Sequence, residues 1–489
     1  MLFHLCSLFL ASAPLLAALE VNDDPQRPFK VDAPDVVIAE TWEEGVKYQS
    51  IERNELQEYR MRWSTPTLCD PDVKQASGYL DIARGDHIFF WFFEARHDPA
   101  NAPLVLWLNG GPGGSSFTGL LFELGPCRVL ENGTGTARHL HSWNERANII
   151  FIDQPLSVGY SYSEKGTIVA SSERAAQDIW TFFQLFFSAF PQYSKLPFHT
   201  AGESYGGHYI PAIASEIHKR NLARAGLHIN LDSIIMGNGW TDPYTQAGMA
   251  PEWICYGPYA DKLVDSPDGE MCTQLFKQAR RCQALIARCY AHPSRLACVP
   301  ATLECDHNPW NKSPIKDLGL NVFDVRRTCV GDFACYAEMG WIDLYLNRAD
   351  VKQQLGVPAS KKFKGYSIQT SLAFSSSGDI SKDSAHLLPP LLDGGIRILN
   401  YAGMADSVCD YGGNYVWMRK MNHTLARGLE NAPVSHFRLQ NGTIAGFGKT
   451  AVNVTYLAVQ EAGHMVPFDQ PEAAREMIER WIARESVLE

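Results

Sequence analysis

The pentapeptide Gly202-Glu203-Ser204-Tyr205-Gly206 stands between an apolar, strand-like run, Phe198–Ala201, and a helical stretch from Tyr209 to Arg220. That context leaves the backbone few options. A chain passing from a buried strand into a helix through G-x-S-x-G turns sharply, and the two glycines permit the tight turn that lifts the serine hydroxyl out. The helix N-terminus behind it favours developing negative charge. The same alternation recurs along the chain. Short apolar runs at Leu104–Leu108, Asn148–Ile152, Ile234–Gly237, Ile396–Tyr401 and Tyr456–Val459 are separated by amphipathic stretches such as Glu173–Phe187. The pattern predicts an α/β fold with a doubly wound, mostly parallel central sheet, whose functional site lies at the carboxyl ends of the strands. Ahead of it, GYLDI and HIFFWFFEA flank Arg84-Gly85-Asp86, a hairpin signal.

A block from about 243 to 370 interrupts this alternation and carries Cys255, Cys272, Cys282, Cys289, Cys298, Cys305, Cys329 and Cys335. It reads as a disulfide-rich, largely helical insertion, a cap over the site, dividing the main domain into residues 51–242 and 371–489. Cysteine at this density belongs to an oxidising compartment. The long, irregular spacings lack the short pairs a zinc site needs, so no metal is expected. The apolar start MLFHLCSLFLASAPLLAALE has signal-peptide length, with cleavage expected near Ala18. Residues 19–50, acidic and aperiodic, read as a propeptide or flexible arm. Loss of Cys6 with residues 1–18 leaves eleven of twelve cysteines, an odd number that predicts one free thiol. The acceptors Asn132, Asn422, Asn441 and Asn453 fit the same secretory route. A formal charge of −11 with no basic run argues against a nucleic-acid partner, and no second apolar run of spanning length follows to anchor the chain in a membrane.

A serine hydroxyl needs a base within reach and an acid that fixes the base's tautomer. In α/β-hydrolase folds these follow the serine in the order acid, then histidine. Asp406, in AGMADSVCDYGG after the strand Ile396–Tyr401, is the candidate acid, with Asp410 competing; His464, in EAGHMVPFDQP after the last strand, is the candidate base. For an oxyanion hole, the amides of Tyr205 and of Gly111, in the loop Asn109-Gly110-Gly111-Pro112-Gly113-Gly114, are the candidates. That loop lacks the Gly-Lys-Ser/Thr ending of a phosphate cradle, and no cofactor is expected.

LWLNGGPGGSS, GESYGGHYIP and GHMVPFDQP together resemble the serine carboxypeptidase family, its carboxypeptidase Y-like branch in particular. With IFIDQPLSVGYSYS and SRLACVPATLEC, the similarity runs from about Ser77 to Trp481. The resemblance implies removal of C-terminal amino acids from peptides and proteins, through an acyl-enzyme and best at acidic pH. It implies that Asn109, Gly110 and Glu203 bind the substrate's terminal carboxylate, with Glu123 and Trp107 in support. It places Thr118, Phe122, Phe323, Tyr336 and Met465 in the leaving-residue pocket and Cys409 near the acyl side. Spacing alone leaves the disulfide pairing open. The family pattern implies Cys255–Cys272, Cys282–Cys305, Cys289–Cys298 and Cys329–Cys335, with Cys409 free. The family's loop usually has Cys where this chain has Gly114, and its partner near Gly365–Ser371 is also missing; Cys69 and Cys127 are expected to pair with each other in compensation. Gln26-Arg27-Pro28-Phe29 resembles the branch's vacuolar sorting tetrapeptide, leaving vacuolar and secreted destinations both open, as are monomer and homodimer.

Two other classes share this framework. An acyltransferase of the same family would pass the acyl group to an alcohol, against which the retained Asn109, Glu203 and Glu123 speak. A non-catalytic binding protein would have no need of Ser204, Asp406 and His464 together.

Overall fold

A computed structural model describes residues 36–43, 45–82, 85–306, 314–330 and 334–489. Residues 1–35, with the signal segment and the Gln26–Phe29 tetrapeptide, lie outside the described residues.

One mixed sheet of fourteen strands organises the molecule. In chain order its main strands are β1 (Val36–Glu43), β2 (Val46–Arg53), β3 (Tyr59–Ser64), β4 (Gln75–Ile82), β5 (Asp86–Phe93), β6 (Leu104–Leu108), β7 (Asn148–Ile152), β8 (Phe198–Glu203), β9 (Leu231–Gly237), β10 (Arg397–Gly403), β11 (Ser435–Arg438), β12 (Ile444–Ala451) and β13 (Val454–Val459). Their spatial order is β1-β2-β3-β4-β5-β7-β6-β8-β9-β10-β13-β12-β11. The centre, β7-β6-β8-β9-β10-β13, is parallel throughout, and both flanks are antiparallel. These six central strands are the six apolar runs of the sequence, and β4 and β5, the two arms of the expected hairpin, pair antiparallel.

Period-two alternation lets one strand serve two cores. Phe90 and Phe92 of β5 face one side with Leu104, Leu106 and Leu108 of β6; Phe89, Trp91 and Phe93 face the other with Val105 and Trp107. Helices α1 (Ser172–Ala189) and α2 (Gly206–Leu222) cover the first face with Ile179, Phe182, Phe186, Ile210 and Ile213. The C-terminal helix Pro471–Ile482 covers the second with Met477, Ile478 and Trp481.

Strands β1 and β2 place residues 36–43 and 46–50, part of the stretch read as a propeptide or flexible arm, in the sheet. They pair antiparallel from Val36↔Arg53 to Glu43↔Val46, and β2 continues onto β3. The inward positions of β2 are largely polar: Tyr48 donates to the Gly356 carbonyl at 2.5 Å, and buried Arg53 donates to Ser188 Oγ at 3.0 Å. A strand that buries Tyr, Ser and Arg shows little hydrophobic alternation, which hid it in the sequence.

Between the adjacent strands β9 and β10 the chain makes one long excursion. Its disulfide-bearing helical part spans residues 243–346 and contains α3 (Pro243–Tyr256), α4 (Glu270–Ala291), α5 (Arg295–Asp306) and α6 (Ala337–Leu346). Cys255–Cys272 links α3 to α4, Cys282–Cys305 and Cys289–Cys298 link α4 to α5, and Cys329–Cys335 closes a short loop. Beyond it, Val351, Leu355, Val357 and Phe363 are buried in the second core, so the last part of the expected cap packs with the body, and α7 (Ile368–Ser377), which follows, buries Phe374 in the first. Cys69 and Cys127 are also joined, and Cys409 is free and buried.

Candidate active site

At the end of β8, Ser204 adopts φ +62°, a left-handed conformation that is unfavourable for a residue with a Cβ. Two bonds hold it there. Its N–H donates to the Gly237 carbonyl at 3.1 Å, and its own carbonyl accepts from Trp240 N–H at 2.8 Å. Strain of this kind persists only where the surroundings over-determine the backbone, and it keeps Ser204 partly exposed among buried neighbours. The loop after β6 presses against this turn: a Cβ on Gly110 would lie 2.3 Å from the Tyr205 nitrogen and 2.7 Å from Ser204 Cβ. Only glycine fits, and Gly111 follows at φ +113°. The two expected oxyanion residues, Gly111 and Tyr205, therefore belong to backbones in direct contact.

His464 and Asp406 meet at the ends of β13 and β10. His464 Nδ1 lies 2.6 Å from Asp406 Oδ2, both side chains buried. Asp406 Oδ2 also accepts from Asn238 Nδ2 at 2.8 Å and from Cys409 N–H at 3.2 Å, while Oδ1 accepts from Val408 N–H at 2.8 Å. A carboxylate so placed accepts from Nδ1–H and leaves Nε2 free as the basic nitrogen. The competing acid does something else: Asp410 caps the helix Tyr411–Lys420, accepting from Gly413 N–H at 2.7 Å. The His464 loop is fastened to the insertion, its N–H donating to the Phe323 carbonyl at 2.7 Å, and the Phe323 ring lies 5.2 Å from the imidazole.

Beside the elbow is a buried acid pair. Asn109 Oδ1 accepts from Trp107 Nε1 at 2.9 Å and from Gly119 N–H at 2.8 Å, which turns its amide nitrogen toward Glu123 Oε1 at 2.9 Å and Glu203 Oε1 at 3.5 Å. As two carboxylates, Glu123 and Glu203 would each leave Oε2 without a partner. One proton between them supplies the missing hydrogen bond. Burial pushes Glu203 well above the usual carboxylate range, and the Glu123 charge adds to the shift; burial also raises Glu123.

The expected leaving-residue pocket gathers around the same centre. The Phe122 ring stacks on Phe468 at 4.0 Å and meets Tyr336 edge-on at 5.3 Å. Met465 is buried with them, and the Thr118 hydroxyl approaches Met339 Sδ at 4.0 Å. Cys409 is buried within ligand-atom range of Asp406 and His464, and burial, then the Asp406 charge, raises its thiol well above the ordinary value. That trio is the candidate acid, the candidate base and a neighbouring thiol.

Asn238, Phe468 and Met339 escaped the sequence reading. Asn238 follows the glycine that ends β9, at the carboxyl edge where functional residues gather, and that position was the one available signal. Asn132, Asn422 and Asn441 are exposed, and Asn453 is half-buried.

The sequence profile of the serine carboxypeptidase family matches residues 66–484, and the chain belongs to that family. Its relatives give the finer placement. It is 42% identical over 422 residues to carboxypeptidase Y of Candida albicans, covering 86% of this chain and 75% of that one. It is 40% identical over 437 residues to carboxypeptidase Y of Komagataella phaffii, covering 88% and 81%. The crystal structure of Kex1(delta)p, a prohormone-processing carboxypeptidase from Saccharomyces cerevisiae, shares the fold with a TM-score of 0.72 at 24% identity, over 86% of this chain and 94% of that one. The chain is a serine-type carboxypeptidase of α/β-hydrolase fold, carboxypeptidase Y-like, releasing C-terminal residues from peptides. No helix among the described residues is long and apolar enough to cross a membrane.

Proposed function

We propose that Ser204 is the nucleophile, His464 the general base and Asp406 the acid that orients it, and that Asn109, Gly110 and Glu203 grip the free carboxylate of the substrate. Ser204 Oγ attacks the last peptide carbonyl as its proton passes to His464 Nε2. The oxyanion takes hydrogen bonds from the Gly111 and Tyr205 amides. His464 then gives its proton to the departing amine, and the C-terminal amino acid leaves. Water, deprotonated by the same nitrogen, releases the shortened peptide.

The observation that carries the exopeptidase role is the acid pair under Asn109, next to the nucleophile in sequence. A protonated Glu203 donates to an incoming carboxylate, whereas an ionised one repels it, so peptide binding is favoured by acid. Glu123 and Trp107 hold Asn109 and the shared proton in place. Thr118, Phe122, Phe323, Tyr336 and Met465 receive an apolar leaving residue, and Cys409 lies toward the acyl side. The disulfides and the exposed acceptors Asn132, Asn422 and Asn441 support passage through the secretory route as a glycoprotein to an acidic vacuole or the exterior. Residues 19–50 act as a short propeptide or N-terminal arm. Ser204→Ala tests the centre of the reading: kcat falls by about 10⁴ to 10⁶ and organophosphate labelling disappears, while the circular dichroism spectrum is retained. Turnover surviving in the purified variant rejects the assignment.

A further inference from the structure

One stretch of chain, Gly365 to Ile380, touches both halves of the proposed oxyanion hole. At its start it lies along the glycine loop. The Gly365 carbonyl accepts from Ser115 N–H at 2.9 Å, Ser367 N–H donates to the Gly113 carbonyl at 2.8 Å, and Tyr366 forms an antiparallel bridge with Gly114. Its middle is α7, whose buried Phe374 meets the Tyr205 ring edge-on at 5.7 Å. At its end, Asp379, only 1% exposed, accepts from the Tyr205 hydroxyl at 2.8 Å, and the Ile380 carbonyl accepts from Trp240 Nε1 at 3.0 Å. Trp240 in turn donates its N–H to the carbonyl of Ser204.

Asp379 is itself immobilised. It accepts from Ser172 Oγ at 2.7 Å at the start of α1 and pairs with Lys382 at 3.0 Å. Stacking completes the clamp on Tyr205, whose ring lies 4.5 Å from His208 at an interplanar angle of 16°. The residue after the nucleophile is thus held by its side chain as well as by its backbone, an arrangement the elbow geometry alone does not demand.

We infer that residues 365–380 are a bracket that sets the spacing of the two oxyanion donors, with Asp379 as a positioning residue acting through the Tyr205 hydroxyl. The inference rests on Ser204 as nucleophile and on Tyr205 and Gly111 as donors. The bracket bears on the tetrahedral state rather than on ground-state binding, because oxyanion donors are aimed at where charge develops.

Tyr205→Phe, which removes one oxygen, and Asp379→Asn are compared with their double variant. Loosening one donor is expected to lower kcat by roughly tenfold, a fraction of the 10² to 10³ lost when a donor is deleted, with KM nearly unchanged. Affinity for a peptide aldehyde, which forms a tetrahedral adduct, falls in parallel, and affinity for a non-reactive product peptide stays the same. The double variant is no worse than the more damaging single, since both remove one interaction. Additive losses, an unchanged aldehyde affinity, or losses confined to KM overturn the bracket. If Asp379→Asn does not fold, Tyr205→Phe decides by its kcat-to-KM split and aldehyde affinity. Organophosphate titration separates the two levels: stoichiometric but slowed labelling in the variants supports the bracket, whereas a wild-type protein that does not label at Ser204 rejects the nucleophile assignment and the bracket with it.

Discussion

Glu203 faces Glu123 across the amide of Asn109, and the two buried carboxyls keep two oxygens, the Oε2 of each, without a donor unless a proton stays between them. Glu203 also precedes Ser204, the proposed nucleophile, so the state of that proton is set within the candidate active site.

Glu203→Gln makes this visible. Gln donates at every pH, whereas Glu donates only when protonated. The groups around it are Glu123, Asn109 and the Asp406 carboxylate. In the variant, kcat/KM for a peptide with a free carboxylate falls less steeply as pH rises above neutrality, even if the acidic maximum is lower. An ester with a blocked C-terminus, which presents no carboxylate to grip, gives the same pH profile in both proteins. Identical peptide profiles across about pH 4 to 8 in the two proteins would remove Glu203 from carboxylate recognition.

The two nearby aspartates should part company. Asp406→Asn forces the wrong imidazole tautomer and lowers kcat by about 10⁴ with the fold intact. Asp410→Asn keeps a side chain that caps equally well, and kcat stays within roughly threefold. Single-turnover kinetics on purified variants compares them; equal losses would reverse the roles drawn from the 2.6 Å contact of His464 with Asp406.

Thermal stability should fall as pH rises from 5 to 8. Burial pushes Asp153 and Asp410 up to about 7 and Asp469 to about 6, and raises Glu123 and Glu203. Each of these acids holds its proton more tightly when folded, so its contribution is complete below the unfolded value near 4 and is lost as pH rises through the native one. Burial pushes His139 down to about 3 and His199 to about 4, and lowers His208. These act in the opposite sense, losing stability as pH falls below about 6.5, but they are fewer. A Tm at pH 8 equal to or above that at pH 5 contradicts this balance.

The chain lacking residues 1–18 should show one thiol in denaturant without reductant, at Cys409, and almost none when folded. A group 2% exposed, whose thiol form is favoured by burial, is a poor nucleophile toward iodoacetamide. The structure lowers the reactivity that an odd cysteine count alone implies. Alkylation mapped before and after unfolding settles the point, and rapid modification of the folded protein would contradict it.

Where local chemistry dictates structure, the sequence was readable. The elbow, the glycine loop and the six central strands each carry their pattern within a dozen residues. Asp406 was separable from Asp410 only by tertiary contact, because each follows the same strand. Strands β1 and β2 hid behind buried Tyr48 and Arg53, whose partners are remote in the chain. Asp379 carries no motif; its meaning comes from Tyr205, 174 positions away.

All four disulfides of the insertion close within it, over separations of 6 to 23 residues, and none ties it to the sheet. The strands that bound the excursion, β9 and β10, are hydrogen-bonded neighbours. The roof is therefore stapled only to itself, leaves and rejoins the scaffold through one gap, and is held to the body by non-covalent contacts such as His464 N–H to the Phe323 carbonyl.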